Sequence, residues 1–262
     1  MTASILHGDC LKVLRELAKE GATFDHAIFD PPYDEHTHKA QRRAGSLPDA
    51  KGKRAMKCKG SRVVDLGFEH ITKKEIRAVS KLVAAVTKRW VLVFCNVELV
   101  HEWRAALASA GLEPLRVIAW VKVCATPQFT GDRPGQGFEA IVVAHKKGRK
   151  KWNAGGKLGV YTHSIEVNRG GNKKRLHTTP KPVGLMLDLV RDFTLPGDRI
   201  LDPYAGSAST GIAAMRLGRH FVGIERDLTH VQTSRDRIEA ELRHLTIQEF
   251  RKGKQLPLLA PP

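Results

Sequence analysis

The chain has 262 residues, 44 lysines and arginines against 27 aspartates and glutamates, a formal net charge of +17, and 42% hydrophobic residues. That apolar share excludes a wholly disordered chain, four cysteines are too few for a disulfide scaffold, and no window approaches the roughly 18 uninterrupted apolar residues of a membrane span. The opening MTASILHGDC lacks the basic start and apolar run of a secretory signal, so a cytoplasmic protein is expected.

Short apolar runs alternate with helical patterns, which predicts an α/β fold, a parallel sheet covered by helices. Asp9 can cap a helix with Leu11, Leu14, Leu17 and Ala18 on one face, and a strand follows at 24–29. Thr72 and Glu75 form a capping box for a helix to about residue 88. WVLVFC (90–95) reads as a buried strand, and a helix from Asn96 stops at Gly111. Strands are expected at 115–123 and 138–144, separated by the turn-rich TPQFTGDRPGQG. Pro182 opens a helix to about residue 193. RILDP then forms a strand, followed by a small-residue turn, a helix at 209–217, the strand HFVGIE and a polar helix at 228–245. Residues 1–250 are expected to form a single domain and 251–262 a flexible tail.

The charge is localised. Residues 39–62 carry nine lysines and arginines and one acid, residues 145–175 carry ten and one, and the remainder is formally neutral. Both segments are poor in apolar periodicity and read as exposed loops, either solvated charge runs or a clamp for a polyanion. The clamp candidates are Lys39, Arg42, Arg43, Lys53 and Arg54 in an insertion at 35–70, and Lys146, Lys147, Arg149, Lys150, Lys151, Trp152, Lys173, Lys174 and Arg175 in a segment at 145–176. Trp152, Asn153, Tyr161, His163, Asn168 and Asn172 add side chains able to stack on or read bases.

Two segments carry chemistry. Asp30-Pro31-Pro32-Tyr33 follows an apolar strand, where ligands bind in open α/β sheets. Two prolines remove two backbone donors and leave carbonyl oxygens that only accept, Asp30 adds a carboxylate, and Tyr33 adds a flat face. That cluster suits a planar ring bearing an exocyclic NH2 group, although a bare Pro-Pro turn also explains it. In the second segment a strand ends at Asp202, a small-residue turn runs through Pro203, Tyr204, Ala205, Gly206 and Ser207, and Glu225 ends the following strand. An acid at that distance is where a nucleoside ribose is held, and the absence of G-x-G-x-x-G argues against a dinucleotide.

Together these segments resemble the S-adenosylmethionine-dependent amino-methyltransferases that act on DNA, marked by a [D/N/S]-P-P-[Y/F/W] motif. The DPPY segment comes first and the cofactor turn late, after HTTPKPVGLMLDLV, an order similar to the beta class of that family. The resemblance implies a circularly permuted Rossmann-like sheet with helices on both faces and two basic loop insertions. It implies that Asp30, Pro31, Pro32 and Tyr33 hold the target base beside the methyl donor. Asp202 through Ser207 would lie against the methionine part of the cofactor, Glu225 on its ribose, and Asp9 and Cys10 near its adenine. Lys181 and Pro182 match the Lys-Pro pair near the methionine carboxylate. The plainer alternatives are that Asp9 is only a helix cap and Lys181 only a first-turn surface lysine.

Where family turns read G-S-G-T, this one reads Gly206-Ser207-Ala208-Ser209, so Ala208 is strained if that position needs positive φ. The implied partner is duplex DNA, with target recognition in 145–176, and a homodimer is expected from the class. His36, His38, Cys58 and His70 match no zinc spacing, so no metal is expected. Adenine N6 is favoured over cytosine N4 because the motif opens with Asp. An RNA methyltransferase and a non-catalytic nucleic-acid-binding protein are the other readings.

Overall fold

The computed structural model describes residues 2–33, 70–123, 125, 133–165 and 180–253. They contain eight strands: β1 (Ala3–His7), β2 (His26–Phe29), β3 (Trp90–Cys95), β4 (Leu112–Val123), β5 (Phe138–Lys146), β6 (Val160–Ser164), β7 (Arg199–Asp202) and β8 (His220–Glu225). The helices are α1 (Cys10–Lys19), α2 (Lys73–Val86), α3 (Val100–Ser109), α4 (Val183–Phe193), α5 (Ser209–Arg216), α6 (Leu228–Leu242) and the short α7 (Ile247–Arg251).

All eight strands form one sheet in the order β1-β8-β7-β2-β3-β5-β4-β6. The pairs from β1 through β3 are parallel, β5 runs antiparallel to both β3 and β4, and β6 runs parallel to β4. Although β7 comes late in the chain, it sits at the sheet's centre beside β2. From β7 the chain moves to β8 on one side, and from β2 it moves to β3 on the other. The sheet therefore reverses its winding between β7 and β2, and a ligand crevice opens beyond the carboxyl ends of such a strand pair.

The central strands are buried on both faces, which is why β3 reads WVLVFC without polar alternation. Ile28, Leu92, Phe94, Ile141 and Ile200 pack under α4, α5 and α6. Their alternates Ala27, Phe29, Val91, Val93, Val142 and Leu201 pack under α1, α2 and α3. Trp103 of α3 is fully buried and meets the Phe29 ring edge-on at 5.9 Å. The capping box at Thr72 is present in full, with Thr72 Oγ1 accepting from Glu75 N and Glu75 accepting from Thr72 N.

Residues 147–159 form the expected, mostly exposed loop, but 145–146 and 160–164 are strand. β5 continues through Lys146, residues 147–159 follow an ordered path, and β6 adds an edge strand to β4. The cause lies in a few anchoring side chains that composition hides. Tyr161 is 2% exposed and donates to Asp192, Lys157 pairs with Asp192 at 2.6 Å, and His163 pairs with Asp188 at 2.9 Å, so α4 holds the segment down. The five-residue β1 was also absent from the expected strands. The insertion at 34–69, residues 166–179 and the tail at 254–262 lie outside the described residues.

Candidate active site

Asp202 is the last residue of β7 and Asp30 directly follows β2. Parallel pairing of His26 with Ile200 and Ala27 with Leu201 brings both carboxylates to the same edge of the winding reversal. Tyr33 O accepts from Ile71 N at 3.2 Å, so the two ends of the 34–69 insertion meet at this edge.

On the α4 face, the DPPY segment meets three other elements. Lys181, just before α4, places its ammonium 2.5 Å from Asp30 Oδ2, 3.0 Å from Tyr33 Oη and 3.2 Å from Glu139 Oε2. Tyr33 Oη donates to Glu139 Oε2 at 2.6 Å, and Lys122 Nζ of β4 lies 2.6 Å from Glu139 Oε1. The rings of Phe94, Tyr33 and Trp120 surround the Lys181 ammonium at 5.2, 5.3 and 5.9 Å. Two carboxylates and two ammoniums thus balance in an aromatic cage. Asp30 Oδ1 is buried and has no hydrogen-bond partner among the described residues.

Burial disfavours the Lys181 charge, but Asp30 and Glu139 outweigh it and hold the ammonium above the usual lysine range. Burial likewise opposes ionisation of Glu139, yet Lys181 and Lys122 bring its carboxyl down to about 2. Burial raises Asp30, an effect that Lys181 counters in part. Burial next to two acids pushes the Tyr33 phenol well up, so it stays neutral.

The second half of the site is the turn after β7. Asp202 accepts from Tyr204 N at 3.0 Å and Thr210 Oγ1 at 2.6 Å, and its burial pushes the carboxyl up to about 7. Glu225, at the end of β8, accepts from Gly206 N at 2.9 Å and Asp227 N at 2.8 Å. Each Glu225 oxygen keeps a further acceptor site. Gly223 lets the turn lie on β8, because a Cβ there would come within 2.7 Å of the Ala205 methyl. Ala205 N donates to Ile224 O, and Arg237 holds Ser207 O at 2.6 Å. Ala208 adopts φ 59° and ψ 36°, the left-handed conformation that makes an alanine strained there.

Pairing of His7 with Glu225 carries Gly8, Asp9 and Cys10 to the same end of β8. Asp9 caps α1, accepting from Lys12 N at 3.1 Å. Burial pushes the Cys10 thiol up to about 11, and Tyr204, which hydrogen-bonds it, stacks on Phe29 at 6.0 Å. Pro182 is the residue before the first turn of α4. The strands that carry or precede the expected cofactor residues Asp9, Cys10, Asp202, Gly206 and Glu225 end at the same edge of the sheet, where Lys181 meets Asp30.

The basic run at 146–151 does not join them. β5 starts at the edge that carries Asp30 and runs antiparallel to β3, with Trp90 opposite His145, so Lys146 emerges at the other end of the sheet. Lys146 lies seven positions along β5 from Glu139, roughly 23 Å. The expected DNA-binding residues Lys146, Lys147, Arg149, Lys150 and Lys151 therefore lie at the sheet end remote from Asp30. Lys146 donates to Ala84 O, Lys150 pairs with Glu113, and Lys151 O accepts from Trp90 Nε1. Trp152 packs on Phe193 at 4.8 Å and donates to Gly155 O, and Asn153 donates to Arg191 O and Thr194 O. Lys39, Arg42, Arg43, Lys53, Arg54, Asn168, Asn172, Lys173, Lys174 and Arg175 lie outside the described residues.

Sequence reasoning missed Glu139, Lys122, Phe94 and Trp120. The signal for Glu139 was its place as the lone acid in FEAIVVAHK; for Phe94 and Trp120 none stood out from core. Among the described residues no group of three His, Cys, Asp or Glu side chains could hold a metal, and no helix is long and apolar enough to cross a membrane.

Known proteins are similar to this chain in sequence and in fold. Type II methyltransferase M2.DpnII of Streptococcus pneumoniae is 27% identical over 254 residues, covering 90% of each chain. The crystal structure of the M1.HpyAVI-SAM complex has a TM-score of 0.67 at 23% identity, over 90% of this chain and 99% of that one. The PvuII DNA methyltransferase, described as cytosine-N4-specific, has a TM-score of 0.65 at 15% identity, over 98% and 95%. A family model described as DNA methylase matches residues 24–236, from before β2 into α6, and the chain belongs to that family.

Proposed function

We propose that this protein transfers a methyl group from S-adenosylmethionine to the exocyclic amine of a base turned out of duplex DNA, adenine N6 in preference to cytosine N4. The observation that carries the reading is Asp30 Oδ1, a buried carboxylate oxygen with no donor among the described residues, at the end of a proline-stiffened turn. An amine hydrogen is the donor that this oxygen lacks. The relatives supply the cofactor class: the M1.HpyAVI structure is a complex with SAM.

The residues of the second half-site fit that group. Glu225 has acceptor capacity left for ribose hydroxyls after taking two backbone N–H groups, and the Gly206 turn lies against β8 with only small side chains in its way. When bound, S-adenosylmethionine supplies a methyl group already activated by the positive sulfonium. The protein's own task is then positioning. Amine hydrogens donated to Asp30 and to the Pro31 carbonyl draw the ring-delocalised lone pair back onto nitrogen. Tyr33 offers a ring for stacking, which helps offset the few kcal/mol needed to unstack a base. The basic segments at 39–62 and 166–175 supply phosphate contacts.

Both amino bases present the same two N–H donors, so Asp30 serves either, and the motif's opening Asp is what favours adenine. The test is incubation with unmethylated bacterial genomic DNA and S-adenosylmethionine, followed by hydrolysis and mass spectrometry of the nucleosides. N6-methyldeoxyadenosine is expected. N4-methyldeoxycytidine would replace the base assignment, and methylation of RNA alone would overturn the reading.

A further inference from the structure

Glu139 has no part in the reaction just described, yet it is the most heavily engaged acid in the site. Its side chain is 12% exposed and takes Lys122, Tyr33 and Lys181 at 2.6, 2.6 and 3.2 Å. Lys181 spends its three donors on Asp30, Tyr33 and Glu139, and the shortest contact is to Asp30 Oδ2, on the same carboxylate whose free Oδ1 would take the base amine. An ammonium that close draws electron density from Asp30 and weakens it as an acceptor for the base. The lysine cannot simply withdraw, because a buried ammonium without a counter-charge is strongly unfavourable.

We propose that Glu139 is a positioning residue, a second station to which Lys181 shifts its ion pair as the target amine takes Asp30, with Lys122 fixing Glu139 in place. The inference rests on the methyl-transfer reading above and deepens it. The move is short, since Glu139 Oε2 is already within hydrogen-bond distance of the ammonium. Phe94 of β3, Trp120 of β4 and Tyr33 keep their faces toward the cation in either position. Because Lys122 remains on Glu139 Oε1, that carboxylate stays ionised and oriented whichever pair Lys181 makes. The arrangement gives Asp30 up to the substrate without leaving a bare charge in the cage.

The test uses the full-length protein with unmethylated bacterial genomic DNA. Glu139→Gln keeps the shape and an acceptor for Tyr33 but removes the charge. It is expected to lower kcat at least about tenfold, equivalent to about 1.4 kcal/mol, while the Kd for S-adenosylmethionine and the KM for DNA change less than about threefold. Adding Glu139→Gln to Lys181→Met is expected to cost nothing further, since Glu139 acts through the lysine. Lys122→Gln, at the rim of the cage, is expected to lower kcat by a smaller factor of about three. Unchanged kcat in both single variants, cofactor affinity lost in step with kcat, or effects that multiply in the double variant would overturn the proposal. Inactivity of the parent enzyme on DNA would instead overturn the methyl-transfer reading beneath it.

Discussion

The Lys181 ammonium reaches back 151 positions to Asp30, at 2.5 Å, and ties the residues that open α4 to the end of β2. This pair closes one side of the crevice at the winding reversal, and Glu139 and Lys122 complete it from β5 and β4. Under the proposed methyl transfer, recognition of a base and integrity of the sheet edge share the same charges.

Loss of the lysine should show in stability first. Lys181→Met leaves Asp30 and Glu139 as buried acids facing each other and is expected to cost about 3–5 kcal/mol in urea unfolding at pH 7. Glu139 titrates lower in the fold, about 2, than its ordinary 4.5, so its contribution is present above about pH 4.5 and fades as pH falls toward 2. The gap between variant and parent should close over that window. A gap unchanged down to pH 2 would show that the ion pairs are not its source.

Asp202 has the opposite sign. Its carboxyl is raised from 3.8 to about 7, so the folded protein holds the proton more tightly and stability falls as pH rises from about 4 to about 7. The fall is of order a few kcal/mol. Asp202→Asn keeps an acceptor for Tyr204 N and offers an amide to Thr210 Oγ1, so unfolding free energy should vary less with pH in the variant. The same slope in both proteins would place the cause elsewhere.

Ala208 sits at φ 59° with its methyl fully buried. Glycine there relieves about 1–2 kcal/mol of left-handed strain but gives up about 0.8 kcal/mol of methyl burial and some chain entropy. Ala208→Gly should therefore change stability by less than about 1 kcal/mol in either direction, whereas Ala208→Val, β-branched at positive φ, should lower it by more than about 2 kcal/mol. Denaturant midpoints of the two variants test the order, and a stable Val variant would contradict it.

The two parts of the second basic segment should separate in salt-dependent DNA binding. Lys147, Arg149 and Lys151 lie at the sheet end remote from Asp30, so their joint replacement by Gln should leave kcat/KM within about threefold. Residues 173–175 precede Lys181 in the chain, and the same change at Lys173, Lys174 and Arg175 should make the salt slope shallower by about 2–3. The reverse pattern would place the duplex at the other end of the sheet.

Much of this was readable from residues alone, and for physical reasons. Buried parallel strands such as WVLVFC announce themselves by continuous apolar runs, and caps such as Thr72 with Glu75 fix helix starts, so the order of elements and both acid-ended strands were legible. The expected cofactor residues Asp9, Asp202 and Glu225 lie at one edge of the sheet because parallel strands end together. Two things were hidden. Strand direction decides which end of the sheet a charged run occupies, and the antiparallel turn of β5 sends Lys146 away from the site that Glu139 joins. Ion pairs across strands also leave no periodic mark, so Glu139 and Lys122 passed as strand residues and Tyr161 as a loop aromatic, although each is fixed by a partner far along the chain.

The central claim is that Asp30 accepts the amine of a DNA base while a methyl group is transferred. The most direct measurement is transfer of tritiated methyl from S-adenosylmethionine to duplex DNA by the parent and by Asp30→Ala, with cofactor affinity measured alongside. The account predicts label on a base amine with the parent and a rate at least about 10³-fold lower in the variant, with cofactor affinity kept within about tenfold. Transfer at the parental rate by Asp30→Ala would contradict it.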